Sequence, residues 1–144
     1  MLCSAVDKHS LGPLDRSPAP HCLYYWPRAV GESQRYGSLV VRNVRVDGTI
    51  DPLFNVTYLE LQPVDSNSLE DVLLVEHWQY DWQQLRDVHW PFRVLRKARL
   101  LKTPTIVQCL DGCDRSGTLV AIETVLMQFL RGENTLFLQL HNVL

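Results

Sequence analysis

The sequence is short of everything that marks a secreted, membrane-spanning or nucleic-acid-coating chain. Cysteine is scarce: Cys3, Cys22, Cys109 and Cys113 are too few and too scattered for a disulfide framework. The close pair has no histidine at zinc-site spacing, so no metal and no cofactor is expected. Sparse thiols without a framework suit a reducing compartment, and a cytoplasmic location is the expectation. Long hydrophobic runs are missing too; the most apolar stretch, residues 119–130, is broken by Glu123 and Gln128 before it reaches a membrane span. The start, Met1-Leu2-Cys3-Ser4-Ala5-Val6-Asp7-Lys8, lacks the basic stretch and apolar core of a secretory leader. Charge of one sign is absent: 14 Lys+Arg stand against 16 Asp+Glu, which leaves no general footprint for nucleic acid.

What is present is the make-up of an ordinary globular domain. The 144 residues are 46% hydrophobic and 21% charged, enough to build a core without staples. Residues 1–21, punctuated by Pro13, Pro18 and Pro20, read as an irregular lead-in, and residues 22–144 as one α+β unit without repeat or linker. Tyr24-Tyr25-Trp26-Pro27, Gly31-Glu32 and Tyr36-Gly37 make a loop-rich aromatic stretch. Strands are predicted over 39–46, where valines alternate with Arg42 and Arg45, and over 56–62. A third, over 72–80, is denser in apolar residues and is expected to be more buried. Residues 91–101 form a helix with Val94, Leu95 and Ala98 on one side and Arg93, Arg96, Lys97 and Arg99 on the other, a solvated basic face. A short buried strand over 105–109 and a central, largely apolar helix over 116–131 complete the pattern.

Between those last two elements lies Cys109-Leu110-Asp111-Gly112-Cys113-Asp114-Arg115-Ser116-Gly117-Thr118. A Cys and an Arg five residues apart, where a strand turns into a helix, make an anion cradle with a nucleophile at its floor. Loop amides and the helix N-terminus supply positive potential. The same field favours thiolate at Cys109, Arg115 can grip two phosphate oxygens, and Ser116 can bond the departing sulfur. The chemistry that fits is phosphoester hydrolysis through a phosphocysteine. Leu110, Asp111, Gly112, Cys113 and Asp114 would line the substrate site with Arg115.

At these residues the chain resembles the cysteine-dependent protein-tyrosine phosphatases, in their classical branch. Cys109, Gly112, Arg115, Ser116, Gly117 and Thr118 match the signature His-Cys-Ser-Ala-Gly-x-Gly-Arg-Ser/Thr-Gly-Thr. The stretch from Tyr25-Trp26-Pro27 to Tyr36-Gly37 is similar to the family's approach to its central sheet. The likeness runs from about residue 22 to about residue 135, in particular to divergent phosphatase-like domains of nematodes. It implies an α/β sandwich with a phosphatase-type central mixed sheet and a strand, phosphate loop and helix in series. It also implies a phosphotyrosine protein or peptide as partner. Because that family's domains are substantially longer, the resemblance further implies an incomplete catalytic domain, a fragment that is marginally stable and feebly active.

Three departures bear on activity. Where the family has a Trp-Pro-Asp loop whose Asp protonates the leaving group, this chain has Tyr80-Asp81-Trp82-Gln83-Gln84, and Gln84 cannot act as an acid. Loss of a positioned acid costs about 100- to 10,000-fold in rate; Asp81 and Asp87 are the nearby carboxylates that could substitute. Inside the cradle, Asp111 and Asp114 put two carboxylates where a dianion must sit, so they must point away or one must be protonated. Asp-Gly-x-Asp-Arg is also similar to the loop of myotubularin-like inositide phosphatases, which would make Asp114, with its pKa raised by its neighbours, the acid. Gln108 replaces the His that commonly precedes the nucleophile; Cys113 is expected to be a small residue lining the loop without a redox role, the alternative being a cap on Cys109 as a disulfide under oxidation. The expected function is a protein-tyrosine-phosphatase-like domain that hydrolyses or binds phosphotyrosine. A catalytically dead phosphotyrosine-binding pseudophosphatase and an inositide phosphatase stay open as alternatives, and oligomeric state is not legible.

Overall fold

The computed structural model describes residues 5–6, 22–51, 53–66, 68–80 and 87–132. The chain divides into two compact units, Met1–Gln83 and Gln84–Leu144, where the sequence pattern predicts a single one. Asp81, Gln84 and the apolar segment 136–140 lie outside the described residues.

The first unit is built on an antiparallel sheet. Strands β1 (Ala5–Val6) and β2 (Cys22–Leu23) form a separate parallel pair, so the lead-in expected to be irregular carries a short strand. The main sheet has the order β3 (Ser33–Tyr36), β4 (Leu39–Asp47), β5 (Asn55–Pro63) and β6 (Leu73–Gln79). Every neighbour in it is antiparallel. Strand β4 falls where valines alternate with arginines, and β5 where Thr57, Leu59 and Leu61 alternate with Tyr58, Glu60 and Gln62. Strand β3 corrects the loop reading of that stretch: Gly37 at φ 59° turns the chain in a conformation that suits glycine, and the polar Ser33-Gln34-Arg35-Tyr36 then pairs with β4. Strand β6 corrects the expectation of burial. It pairs only with β5 among the described residues, and Leu73 and Leu74 are 61% and 70% exposed.

Short polar side chains make the turns. After β4, Asp47 accepts from the Thr49 amide (2.9 Å) and hydroxyl (2.7 Å), and Asp51 accepts from the Leu53 amide (2.9 Å). Trp26, Val41 and Leu59 centre the core, with Tyr24, Tyr36, Leu61 and Val75 packed on them. Phe54 stacks obliquely on Trp78 and Tyr80 at 5.5 and 5.2 Å. Asn43, fully buried in β4, clamps the aromatic loop: its Nδ2 donates to the carbonyls of Pro27 and Arg28, each at 3.0 Å. Its backbone bonds Gly31 and Glu32 as well.

The second unit holds the two helices, α1 (Trp90–Leu100) and α2 (Arg115–Arg131). Both match the predicted helices to within a residue. In α1, Trp90, Pro91 and Leu95 are buried, and Pro91 in the first turn forgoes no helical bond. In α2, Gly132 at φ 73° ends the helix by donating its amide to the carbonyls of Gln128 and Phe129. Arg99 of α1 pairs with Glu123 of α2 at 2.5 Å. Two expectations fail here. Residues 105–109 form no strand, because no other described strand pairs with them, and Ile106 is 91% exposed. Helix α2 is not buried on most faces: only Ser116 and Leu119 are buried, while Val120, Phe129 and Leu130 are exposed. An antiparallel sheet in one unit and helices in the other make the α+β class that the sequence indicates.

Candidate functional site

The loop between residue 109 and α2 lies within the second unit and brings most of the predicted site residues together. Cys109 is 4% exposed and Ser116, at the second position of α2, is 4% exposed. Their sulfur and oxygen stand 3.1 Å apart, the contact expected of a nucleophile and the hydroxyl that assists its departure. Gly112 has φ 77°, a left-handed conformation that a side chain would strain, and it turns the loop back on itself.

Asp111 bonds back onto its own loop. The Cys109 thiol donates to Asp111 Oδ1 at 3.1 Å, and the same oxygen accepts from the backbone amides of Cys113 (3.0 Å) and Asp114 (3.2 Å). With the thiol proton engaged there, the Ser116 hydroxyl is left to donate to the sulfur. The thiol bond first, and the two amide bonds after it, hold the Asp111 carboxyl well below its ordinary value, at about 2. Asp111 is itself exposed; its carboxylate bonds back to the Cys109 sulfur and the two loop amides, and with its pKa lowered it is not the carboxylate expected to take up a proton. The bond to Cys109 also requires the thiol form, whereas a nucleophile must be the thiolate.

The other loop residues are placed as follows. Leu110 and Cys113 are exposed. Arg115 is half-buried as the first residue of α2. Asp114 is exposed at the N-cap of α2 but makes no capping bond with its side chain; its carbonyl accepts from the Thr118 amide (2.9 Å) and hydroxyl (2.8 Å). Asp87, one of the carboxylates that could replace the missing acid, is engaged elsewhere. It accepts from the His89 amide and from Arg93 Nη1, each at 2.8 Å, so it fixes the start of α1. The His89 bond, followed by Arg93, holds it below the usual carboxylate range, and an anion at neutral pH is not a proton donor. No group of three His, Cys, Asp or Glu side chains that could hold a metal occurs among the described residues. Nor is any described helix long and apolar enough to cross a membrane.

Sequence reasoning singles out the residues of this loop as candidates but not the bonds that Asp111 makes within it. The signal is the Asp-Gly-x-Asp run itself, since an aspartate followed by glycine readily accepts from amides two and three residues on.

Comparison with known proteins bears on the same loop. The protein-tyrosine phosphatase family profile matches residues 1–144. Protein tyrosine phosphatase-like protein egg-3 of Caenorhabditis elegans is 60% identical over 136 residues, which cover 92% of this chain and 24% of that protein. Inactive protein-tyrosine phosphatase egg-4 of the same nematode is 33% identical over 119 residues, covering 81% of this chain and 15% of that protein. Tyrosine-protein phosphatase 1 of Schizosaccharomyces pombe is 29% identical over 126 residues, covering 81% of this chain and 22% of its own length. The chain thus spans about a quarter or less of the proteins it matches. A signature loop with Cys109, Arg115 and Ser116 in place, and a family match along the whole sequence, make this chain a divergent member of the protein-tyrosine phosphatase family.

Proposed function

We propose that this chain is a phosphatase-like recognition domain that does not turn over phosphotyrosine at a rate useful to a cell, and that it acts in the cytoplasm on a phosphotyrosine protein or peptide. The observation that carries the reading is the Asp111 carboxylate, bonded at once to the Cys109 thiol and to the amides of Cys113 and Asp114. A thiol held as a donor to a carboxylate is not poised to attack phosphorus. The missing acid supports the same conclusion: Gln84 stands at the family's Asp position, and Asp87 is bound to α1. Relatives whose names call them inactive or phosphatase-like are consistent with it.

The roles assigned by resemblance follow in this reading as vestiges of the ancestral chemistry. Cys109 is the former nucleophile, Arg115 the phosphate-gripping side chain and Ser116 the partner of the sulfur. Asp114 is exposed and close in sequence, and it is the one carboxylate of the loop left to serve as an acid. A second reading, slow hydrolysis, is favoured by one contact, the intact 3.1 Å approach of Ser116 to Cys109.

Hydrolysis of a small aryl phosphate by the purified chain, with Cys109→Ser as control, separates the two. Equal rates support a recognition domain. Product that depends on Cys109 refutes it, and loss of that product in Asp114→Asn would then identify the acid.

A further inference from the structure

We infer that Asp111 is a built-in occupant of the phosphate cradle, and that the loop takes a tetrahedral oxyanion only when this carboxylate is displaced or replaced. The inference rests on the family reading of the loop and deepens it by naming what regulates access to the site.

Three donors converge on a single atom. Oδ1 of Asp111 accepts from the Cys109 thiol and from the amides of Cys113 and Asp114. Those amides sit just ahead of the first turn of α2, where a phosphoryl oxygen would need them. The contact with sulfur sets this apart from an ordinary turn closed by aspartate. Asp111 itself is exposed, but its carboxylate reaches the buried Cys109 sulfur as well as the two amides.

An incoming dianion therefore meets two obstacles. It must take amides that already have a partner, and it must stand beside an ionised carboxylate while it does so. Asp111 is exposed and the loop turns at the left-handed Gly112, so the aspartate carboxylate faces solvent into which it can be drawn away. Recognition is then gated by whatever draws Asp111 away. A partner that offers a cation or a donor to this carboxylate opens the cradle as it docks its phosphoryl group.

Tungstate, a tetrahedral oxyanion that needs no covalent bond to bind, is the probe. It is titrated into the unmodified chain, Asp111→Asn and Asp111→Ala by calorimetry. Asn keeps an oxygen for the amides but drops the charge, and Ala removes both. The expected order of affinity is Ala above Asn above the unmodified chain, with Ala at least about tenfold tighter than the unmodified chain. Adding Arg115→Met to Asp111→Ala should abolish the gain, which places the anion in this loop. Tungstate affinity in both variants no better than in the unmodified chain overturns the inference, provided circular dichroism shows them folded. Should either variant fail to fold, amide NMR of the unmodified chain decides. Signals of Cys113 and Asp114 unmoved by tungstate support the occupant, and saturable shifts with the Asp111 signal unchanged overturn it. Turnover of aryl phosphate by the unmodified chain is a separate outcome, which refutes catalytic silence and leaves the gate standing.

Discussion

Acidification should weaken the first unit through a single side chain, His77. Its imidazole projects from β6 into the core around Trp26, with ring centroids 4.4 Å apart. Nε2 lies 2.9 Å from the Tyr25 hydroxyl, and Nδ1 is buried with no hydrogen-bond partner among the described residues. A second ring proton would be buried without an acceptor, and burial pushes the imidazole down from 6.5 to about 4. Because the folded value lies below the unfolded one, the unfolded chain takes up the proton first as pH falls. The stabilisation is complete above 6.5 and drains away as pH drops toward 4. At ~1.4 kcal/mol per unit, the full loss is about 3 kcal/mol, of which about 1.4 kcal/mol is reached by about pH 5.5. Urea unfolding followed by tryptophan fluorescence at about pH 7.5 and about pH 5.5 reads this loss directly. His77→Gln, which keeps a neutral polar group beside Tyr25, should flatten the difference. An unchanged difference between the two pH values in His77→Gln would refute the reasoning.

Three further outcomes follow from the packing. Asn43→Ala removes two bonds to buried or half-buried carbonyls and should cost about 2 to 4 kcal/mol in urea unfolding, with Asn43→Asp worse because it faces those carbonyls with a third acceptor. Arg99→Ala breaks the pair with Glu123, both side chains about a third exposed, and should shift thermal unfolding by no more than about 1 kcal/mol. Gly112→Ala forces a methyl group onto a φ of 77° and should cost about 1 to 2 kcal/mol. It should also displace the Cys113 and Asp114 amide signals in NMR, since the bonds to Asp111 depend on that turn.

What the sequence reveals and what it hides divide along physical lines. Strands β4 and β5 are legible by alternation, of Val with Arg in β4 and of Thr57, Leu59 and Leu61 with Tyr58, Glu60 and Gln62 in β5. Helices α1 and α2 are legible because α1 sets Val94, Leu95 and Ala98 opposite a basic face and α2 is a long, largely apolar run. Strand β3 is not, since its polar residues show no alternation and its pairing follows from the turn at Gly37. The apolar density of 72–80 and of 105–109 misleads in the same way. Hydrophobicity shows that a segment prefers cover, but it does not name the neighbour that provides it, and β6 sits at a sheet edge while Ile106 lies open. In the candidate site, residue types and spacing single out Cys109, Arg115 and Ser116 as candidates. The direction of one carboxylate depends on two backbone amides and a thiol, which no pattern of residue types records.

Whether the cradle is filled by its own carboxylate is tested most directly by NMR titration of the Asp111 carboxyl in the unmodified chain. Three donors predict titration at about 2, and hence a carboxyl signal that is flat on acidification from about pH 6 to about pH 3.5. A signal that titrates near the ordinary 3.8, with the amides of Cys113 and Asp114 indifferent to it, contradicts the occupied cradle.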